Sequence, residues 1–394
     1  MCLGTVYSFS VFRIPVEKVH DIGAAQSGMP YMTALASYAF FMFLTGKHMD
    51  KFNPRWIIVL GGLLVSLGWI LSAYASNIYM LTITYGLISG AGVGIVYGAP
   101  MAVVQRWFPD KKGLAVGTVL IGFGLSPLIT APLARTLVEQ YGVMNTFRII
   151  GICFGIIISL LGFPFRYPSE SEMAEYGKVE YTKKYSNEIA TSRMIKSKDF
   201  IGLYLNFMIG TTIGLMLIGL TGSVGTELIG LPAKQVSLLM ALFAVFNGIG
   251  RPAFGWITDK LTTKNAMYLS YGLMIFSSVL ISFANRGDVL IYAISFSIFW
   301  FNLGGWLAIA PASTLALYGT KHYSQNYGVV FTAYGIGAIT GVVTSGMLLE
   351  LHRNYHYVFY YVIALCLIGI FIASKLVREK SSRQESVNSH GKVT

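Results

Sequence analysis

Charge is scarce in this chain. Of its 394 residues only 12% are Asp, Glu, Lys or Arg, while 54% are hydrophobic. A soluble domain carries about twice that charge and much shorter apolar runs, so a cytosolic enzyme and a disordered chain are both excluded. Cysteine is nearly missing. Cys2, Cys153 and Cys366 lie in apolar runs with no ligand spacing, which excludes a disulfide scaffold and a cysteine metal site. The six histidines (20, 48, 322, 352, 356 and 390) all fall in loops or at the ends of apolar runs. A histidine proton relay and a metal catalytic centre are therefore not expected. No Gly-x-x-x-x-Gly-Lys-(Ser/Thr) loop is found, so the chain does not hydrolyse ATP. No cofactor is expected, and no cluster of His, Asp and Ser within the apolar runs supports an intramembrane enzyme.

What the chain has is apolar length. A bilayer core of about 30 Å needs roughly 20 apolar residues per helix. That ruler gives twelve runs: 1–16, 28–47, 56–75, 78–104, 114–136, 146–165, 200–222, 235–256, 265–284, 289–313, 325–349 and 356–376. Their continuity favours helices over barrel strands, which alternate. The first run is short, about 24 Å as a helix, so the natural chain is expected to start upstream. The fold class expected is an all-α membrane protein of twelve transmembrane helices.

The net charge of +12 has a topological explanation rather than a nucleic-acid one. Turns 2–3, 4–5, 6–7, 8–9 and 10–11 and the C-terminal tail hold 21 of the 29 Lys and Arg residues. Seven lie on the other side or at its helix ends: Arg13, Lys18, Arg135, Arg148, Lys234, Arg286 and Arg353. The basic side is cytoplasmic, which places both termini inside a plasma or inner membrane. One of the 29 remains, Arg251.

The expected organisation is a six-helix half over 1–165, a polar linker over 166–199, a second six-helix half over 200–376 and a polar tail over 377–394. The halves repeat. Gly94/Gly305, Pro100/Pro311, Gly117/Gly328 and Gly124/Gly335 recur at one offset of 211, and Gly46/Gly255 and Asp50/Asp259 at 209. Duplicated halves with a binding site between them near the midplane are a transporter design.

Arg251 carries the functional argument. Eight residues before Asp259, which closes its helix, it lies about 12 Å into the bilayer. A charge there costs at least about 2.5–3.5 kcal/mol by insertion scales and must face a cavity or a partner. All 17 Asp and Glu residues fall in loops or at run ends, so no acid of the interior neutralises it. An arginine left for an anionic substrate fits, because its planar fork binds a carboxylate through two hydrogen bonds. A snorkelling or carbonyl-bonded structural arginine is the other reading. Asn247 lies one turn earlier on the same face, placed either to donate to a substrate oxygen or to hold the guanidinium.

Several motifs resemble a known family. Gly46-Lys47-His48-Met49-Asp50-Lys51 and Gly255-Trp256-Ile257-Thr258-Asp259-Lys260 resemble the Gly-x-x-x-Asp-(Arg/Lys) loop of the major facilitator superfamily. Gly4-Thr5-Val6-Tyr7-Ser8, Trp107-Phe108-Pro109-Asp110-Lys111-Lys112-Gly113, Asn247-Gly248-Ile249-Gly250-Arg251 and Asn326-Tyr327-Gly328 with Tyr334-Gly335 are similar to the oxalate/formate antiporter family, itself related to monocarboxylate transporters. The resemblance implies two pseudo-symmetric halves that rock about a central site. It also implies that Arg251 holds the substrate carboxylate, that Tyr7 and Tyr97 line the cavity, and that Gly46, Asp50, Gly255 and Asp259 belong to gating loops.

Two departures are informative. Animal monocarboxylate transporters have an Asp where this chain has Asn247, which weighs against proton coupling through that residue. Oxalate-carrying relatives place a Lys where this chain has Tyr334, so one deep cation remains and a monocarboxylate such as formate, lactate, pyruvate or acetate is favoured over oxalate. Packing within an aromatic stripe Tyr327–Phe331–Tyr334 is the alternative use of that tyrosine. Trp300 and Phe301 are further candidates to line the cavity, Glu227 is the least implausible proton site, and Arg13 reads as an interfacial anchor. The expected partners are a small carboxylate anion and the lipid bilayer, with no nucleic acid, and the expected unit is a monomer. A proton symporter, a dicarboxylate antiporter of the oxalate/formate type and a transporter-like carboxylate sensor are the readings this leaves beside a monocarboxylate exchanger.

Overall fold

The computed structural model describes residues 1–49, 52–108, 112–169, 171–172, 188–319 and 322–377. Among these the chain is helical between short turns, with no strand. Helix α1 opens as 3₁₀ turns over Cys2–Ser8 and continues as Phe9–His20. It is followed by α2 (Met29–His48), α3 (Pro54–Ser72) and α4, whose pieces are Ile78–Leu81, a π segment Thr82–Ser89, and Gly90–Trp107. Helix α5 comprises Lys112–Gly124 and the start of a run Ser126–Gly162, which breaks at Gly142 (φ 77°); residues 143–162 are α6. Only glycine adopts that left-handed φ freely, so Gly142 marks the turn between two spans. The remaining helices are α7 (Lys198–Ser223, ending in a π segment Val224–Leu228), α8 (Ala233–Leu261), α9 (Thr263–Ser282), α10 (Val289–Tyr318), α11 (Tyr323–His352) and α12 (His356–Leu376).

Nine helical runs among the described residues are long and apolar enough to cross a membrane, and one of them, Thr118–Gly162, contains both α5 and α6. With α1 and α2 these make the twelve spans. The first apolar run was too short on the sequence ruler, but the helix is not. Seven residues at the 3₁₀ rise and twelve at the α rise reach about 32 Å, because the helix runs on through Glu17 and Lys18 to His20.

The internal repeat is visible in which helices pack together. In the first half α1 packs on α5, α2 on α4, and α3 on α6 and α4; in the second half α7 packs on α11, α8 on α10, and α9 on α12 and α10. The halves meet by the same symmetry: α2 lies on α11, α5 on α8, and α1 on α7. With lipid as solvent there is little hydrophobic drive between helices, so close backbone approach and polar contacts hold such pairs. Gly250 and Gly304 show it between α8 and α10: an added Cβ would collide with the carbonyl oxygens of Phe301 and Asn247 respectively. Large apolar side chains such as Leu60, Leu160 and Phe371 face outward, as a lipid-facing perimeter requires.

Candidate anion-binding site

Helix α8 carries the centre of the site. Asn247 and Arg251, one turn apart, both face the seam between the halves and are buried, Arg251 being 2% exposed. The Asn247 amide is committed at both ends. Its Nδ2 donates to the Trp300 carbonyl of α10 at 2.9 Å, and its Oδ1 accepts from Arg251 Nη2 at 3.4 Å. Of the two roles open to Asn247, the geometry favours holding the guanidinium.

Arg251 Nε and Nη1 are buried and make no hydrogen bond of regular length and angle among the described residues, although the Tyr7 and Tyr97 hydroxyls stand near enough to interact with the guanidinium. Among the described residues no carboxylate oxygen lies within 4.0 Å of the guanidinium. Its charge rests against the Phe123 ring, 5.7 Å from Cζ to the centroid, a weak cation–π support. Buried donors of this kind are normally satisfied, which makes the Arg251 guanidinium a candidate to hold an anion. Pro252 directly follows; its missing N–H leaves the Gly248 carbonyl without its helical partner and adds local polarity to this stretch of α8.

Around the guanidinium stands an aromatic wall drawn from both halves. The Tyr7 hydroxyl of α1 lies 3.0 Å from the Tyr334 hydroxyl of α11, both side chains fully buried. Tyr7 packs edge-on against Phe123 at 5.3 Å, and Tyr97 of α4 does so at 5.2 Å. Tyr7 and Tyr97 both interact electrostatically with Arg251. Tyr334 also stacks on Phe331 at 4.9 Å, so the aromatic stripe and the site are the same surface.

Three contributors are not among the site residues expected from the sequence. Phe123 supports the guanidinium, and Tyr38 of α2 joins Tyr97, Phe123, Phe331 and Tyr334 with centroids 5.0–6.0 Å away. Gly124 brings α5 against α8: a Cβ there would lie 3.1 Å from Arg251 Nε and 2.8 Å from Asn247 Oδ1. The repeat Gly124/Gly335 is a signal for that approach, whereas nothing separates Phe123 or Tyr38 from the other aromatics.

Other candidates lie elsewhere. The Trp300 indole turns away from the seam to donate to Thr221 Oγ1 of α7 at 3.1 Å, so its carbonyl, not its ring, serves the site. Phe301 packs on Phe254, 5.3 Å between centroids. Glu227 is exposed at the end of α7, accepting from the Tyr355 hydroxyl at 2.9 Å, too peripheral for an interior proton carrier. Gly46 lies in the last turns of α2, half-buried. Asp50 is outside the described residues. Gly255 faces open space, and Asp259 is exposed in the last turn of α8 without an ion pair among the described residues. Arg13, read as an interfacial anchor, is instead buried in the seam, 6% exposed.

The arrangement makes no covalent chemistry available. It offers an oriented, unneutralised guanidinium between two repeated helical bundles, and the Major Facilitator Superfamily profile matches residues 1–317 and 200–393. The chain belongs to the major facilitator superfamily. It is accordingly a multi-pass membrane transporter and not an enzyme. Among its relatives, the oxalate:formate antiporter of Oxalobacter formigenes is 30% identical over 86% of this chain and 80% of the relative. The MFS-type transporter YhjX of Escherichia coli K12, itself uncharacterised, is 24% identical over 86% and 82%. Monocarboxylate transporter 12 of Xenopus laevis is 25% identical over 86% and 78%.

Proposed function

We propose that this transporter carries a small monocarboxylate, of the size of formate, acetate, lactate or pyruvate, by alternating access between its two halves. The observation that carries the reading is that two buried nitrogens of Arg251, Nε and Nη1, have no regular hydrogen-bond partner among the described residues. Nη2 spends one N–H on Asn247, and its other N–H forms a parallel pair with Nε or with Nη1, a fork that grips one carboxylate through charge-assisted bonds, which are among the strongest available. Arg13 is paired with Glu17, so a single deep cation without an acidic partner, Arg251, favours a single negative charge. Tyr7, Tyr97 and Tyr334 present hydroxyls to the rest of a small substrate, while Asn247 keeps the fork oriented.

Binding neutralises the site. Movement of the neutral, desolvated complex is easier than movement of a bare buried charge, so exchange of one carboxylate for another is the favoured cycle. The halves proposed to rock are 1–165 and 200–376, joined by the linker 166–199. Gly46, Asp50, Gly255 and Asp259 are assigned to the loops that gate the linker side. Both termini are assigned to the cytoplasm by the Lys/Arg bias, in a cell membrane, and the protein works as a monomer.

Counterflow of labelled formate, acetate, lactate or pyruvate into proteoliposomes tests this. Wild-type protein accumulates one of these labels, and Arg251→Gln abolishes the accumulation while remaining monodisperse. Undiminished uptake by Arg251→Gln refutes the reading. The name of the Oxalobacter relative supports a second reading, a dicarboxylate antiporter; on that reading labelled oxalate, not a monocarboxylate, exchanges.

A further inference from the structure

A second buried guanidinium sits on the side of the molecule away from the linker, and it is held quite differently from Arg251. Arg13 of α1 points into the seam. Its Nε donates to Ser27 Oγ at 2.9 Å, Ser27 Oγ donates to Glu17 Oε1 at 2.5 Å, and Glu17 Oε1 lies 3.5 Å from Arg13 Nε. These partners all belong to the first half. Nη1 crosses the seam and donates to the Gly219 carbonyl of α7 at 3.3 Å. Glu227 and Tyr355, on the second half, lie within electrostatic reach.

We infer that Arg13 is the latch that closes the far-side mouth of the transport path, a role separate from anion binding. The inference rests on the two-state reading above but on no particular substrate. Three features support it. Glu17 and Ser27 fix the guanidinium on its own half, so little rotamer freedom is lost each time the cross-seam bond re-forms. The bond itself is one charge-to-carbonyl contact, strong enough to bias two states yet weak enough to break in each cycle.

The seam at this level is also closed by backbone packing, Gly222 of α7 lying against Ser10 of α1, and by side-chain hydrogen bonds. Tyr31 Oη donates to the Leu215 carbonyl at 3.2 Å, Ser10 Oγ donates to Met240 Sδ at 3.4 Å, and a cavity of about 10 Å³ lies between Phe9, Arg13, Tyr31, Met216 and Gly219. Space for one water beside the guanidinium means that opening hydrates Arg13 and the Gly219 carbonyl rather than stranding them. The π segment Val224–Leu228 ends α7 a few residues beyond Gly219. Such bulges interrupt the regular ladder and are frequent at functional sites, and here one lies in the helix that must part from α1.

The latch predicts a change in population without a ligand. Spin labels at Tyr74→Cys on the first half and Lys234→Cys on the second, both exposed and on the far side, report the opening by pulsed electron–electron resonance in nanodiscs. The background carries Cys2→Ser, Cys153→Ser and Cys366→Ala. Relative to that parent, Arg13→Gln raises the ratio of far-side-open to far-side-closed molecules about tenfold, the change that loss of one charge-to-carbonyl bond gives. Arg13→Lys keeps the charge beside Glu17 but lacks the fork that serves Ser27 and Gly219 together, so it shifts the ratio in the same direction by less. If Arg13→Gln does not fold, Arg13→Lys decides alone. Distance distributions unchanged from the parent overturn the latch, whatever the protein carries. Because the measurement is made on ligand-free protein with Arg251 intact, failure of the carboxylate reading shows separately, as absent counterflow.

Discussion

Replacing Arg251 with lysine isolates the fork from the charge. Lysine keeps a positive centre on α8 beside Phe123 but offers a point charge in place of two oriented N–H groups. In the wild type Nε and Nη1 are the unsatisfied donors, and Nη2 is held by Asn247 at 3.4 Å. A bound carboxylate therefore loses one charge-assisted hydrogen bond in Arg251→Lys, about 1.5–3 kcal/mol. At 1.4 kcal/mol per tenfold this weakens binding by about 10- to 150-fold. Titration calorimetry of detergent-purified protein with the monocarboxylate that gives counterflow measures it directly, and thermal shift gives a check, since a ligand stabilises only what it binds. An Arg251→Lys dissociation constant within threefold of wild type, with the variant folded, shows that the two N–H groups do not grip the substrate, and the site reading falls.

Further outcomes follow from the same contacts. Gly124→Ala places a methyl 3.1 Å from Arg251 Nε and 2.8 Å from Asn247 Oδ1, so both side-chain ends must shift; carboxylate affinity falls about tenfold or more with a small fall in melting temperature, and unchanged affinity counts against Gly124 as a wall of the site. Gly304→Ala drives its methyl into the Asn247 backbone carbonyl; overpacking of this kind costs about 1–3 kcal/mol, seen as a lower melting temperature, and a wild-type melting curve refutes it. In the linker, Arg166 grips Glu172 through two contacts of 2.7 Å, and the Ser169 amide donates to the same carboxylate. Those bonds pull Glu172 down to about 2. A depressed carboxylate stabilises above its unfolded value and loses that contribution as pH falls through its folded one. The Ser169 amide protection factor in hydrogen exchange therefore holds from pH 7 to about 4.5 and drops toward pH 2, while Glu172→Gln loses it at neutral pH.

The spans were legible because the bilayer sets their length, and α3, α7, α9 and α12 begin and end within a few residues of their apolar runs. Helix α1 was truncated on paper for a physical reason. Glu17 and Lys18 look like a helix end in the sequence, but Glu17 is kept at its helix's end by Arg13 one turn earlier. Arg251 was legible because a charge in an apolar run has few explanations. Its surroundings were not. Fifty-five Phe, Tyr and Trp residues give no hint that Phe123 and Tyr38 meet Tyr97 and Tyr334. Nor does the sequence say that the Trp300 indole finds its acceptor on α7, which turns the ring away from the seam and leaves its carbonyl to Asn247.

Two buried arginines of the same chemistry are thus assigned different parts, and the residue one helical turn away separates them. Arg13 has Glu17 four residues later, a partner that neutralises it; Arg251 has Asn247 four residues earlier, a partner that only orients it. Asn247→Asp converts the second arrangement into the first. A carboxylate about 4 Å from the guanidinium attracts it by about 4 kcal/mol at an effective dielectric of 20, and an incoming substrate must compete with that attraction. Carboxylate affinity then falls by several hundredfold to a thousandfold, well beyond Asn247→Ser, which removes one weak orienting bond worth about tenfold or less. The contrast between the two variants is the test. If Asn247→Asp binds the transported acid as tightly as Asn247→Ser, then the absence of an internal counter-charge is not what opens Arg251 to an anion, and its two unsatisfied nitrogens have some other purpose.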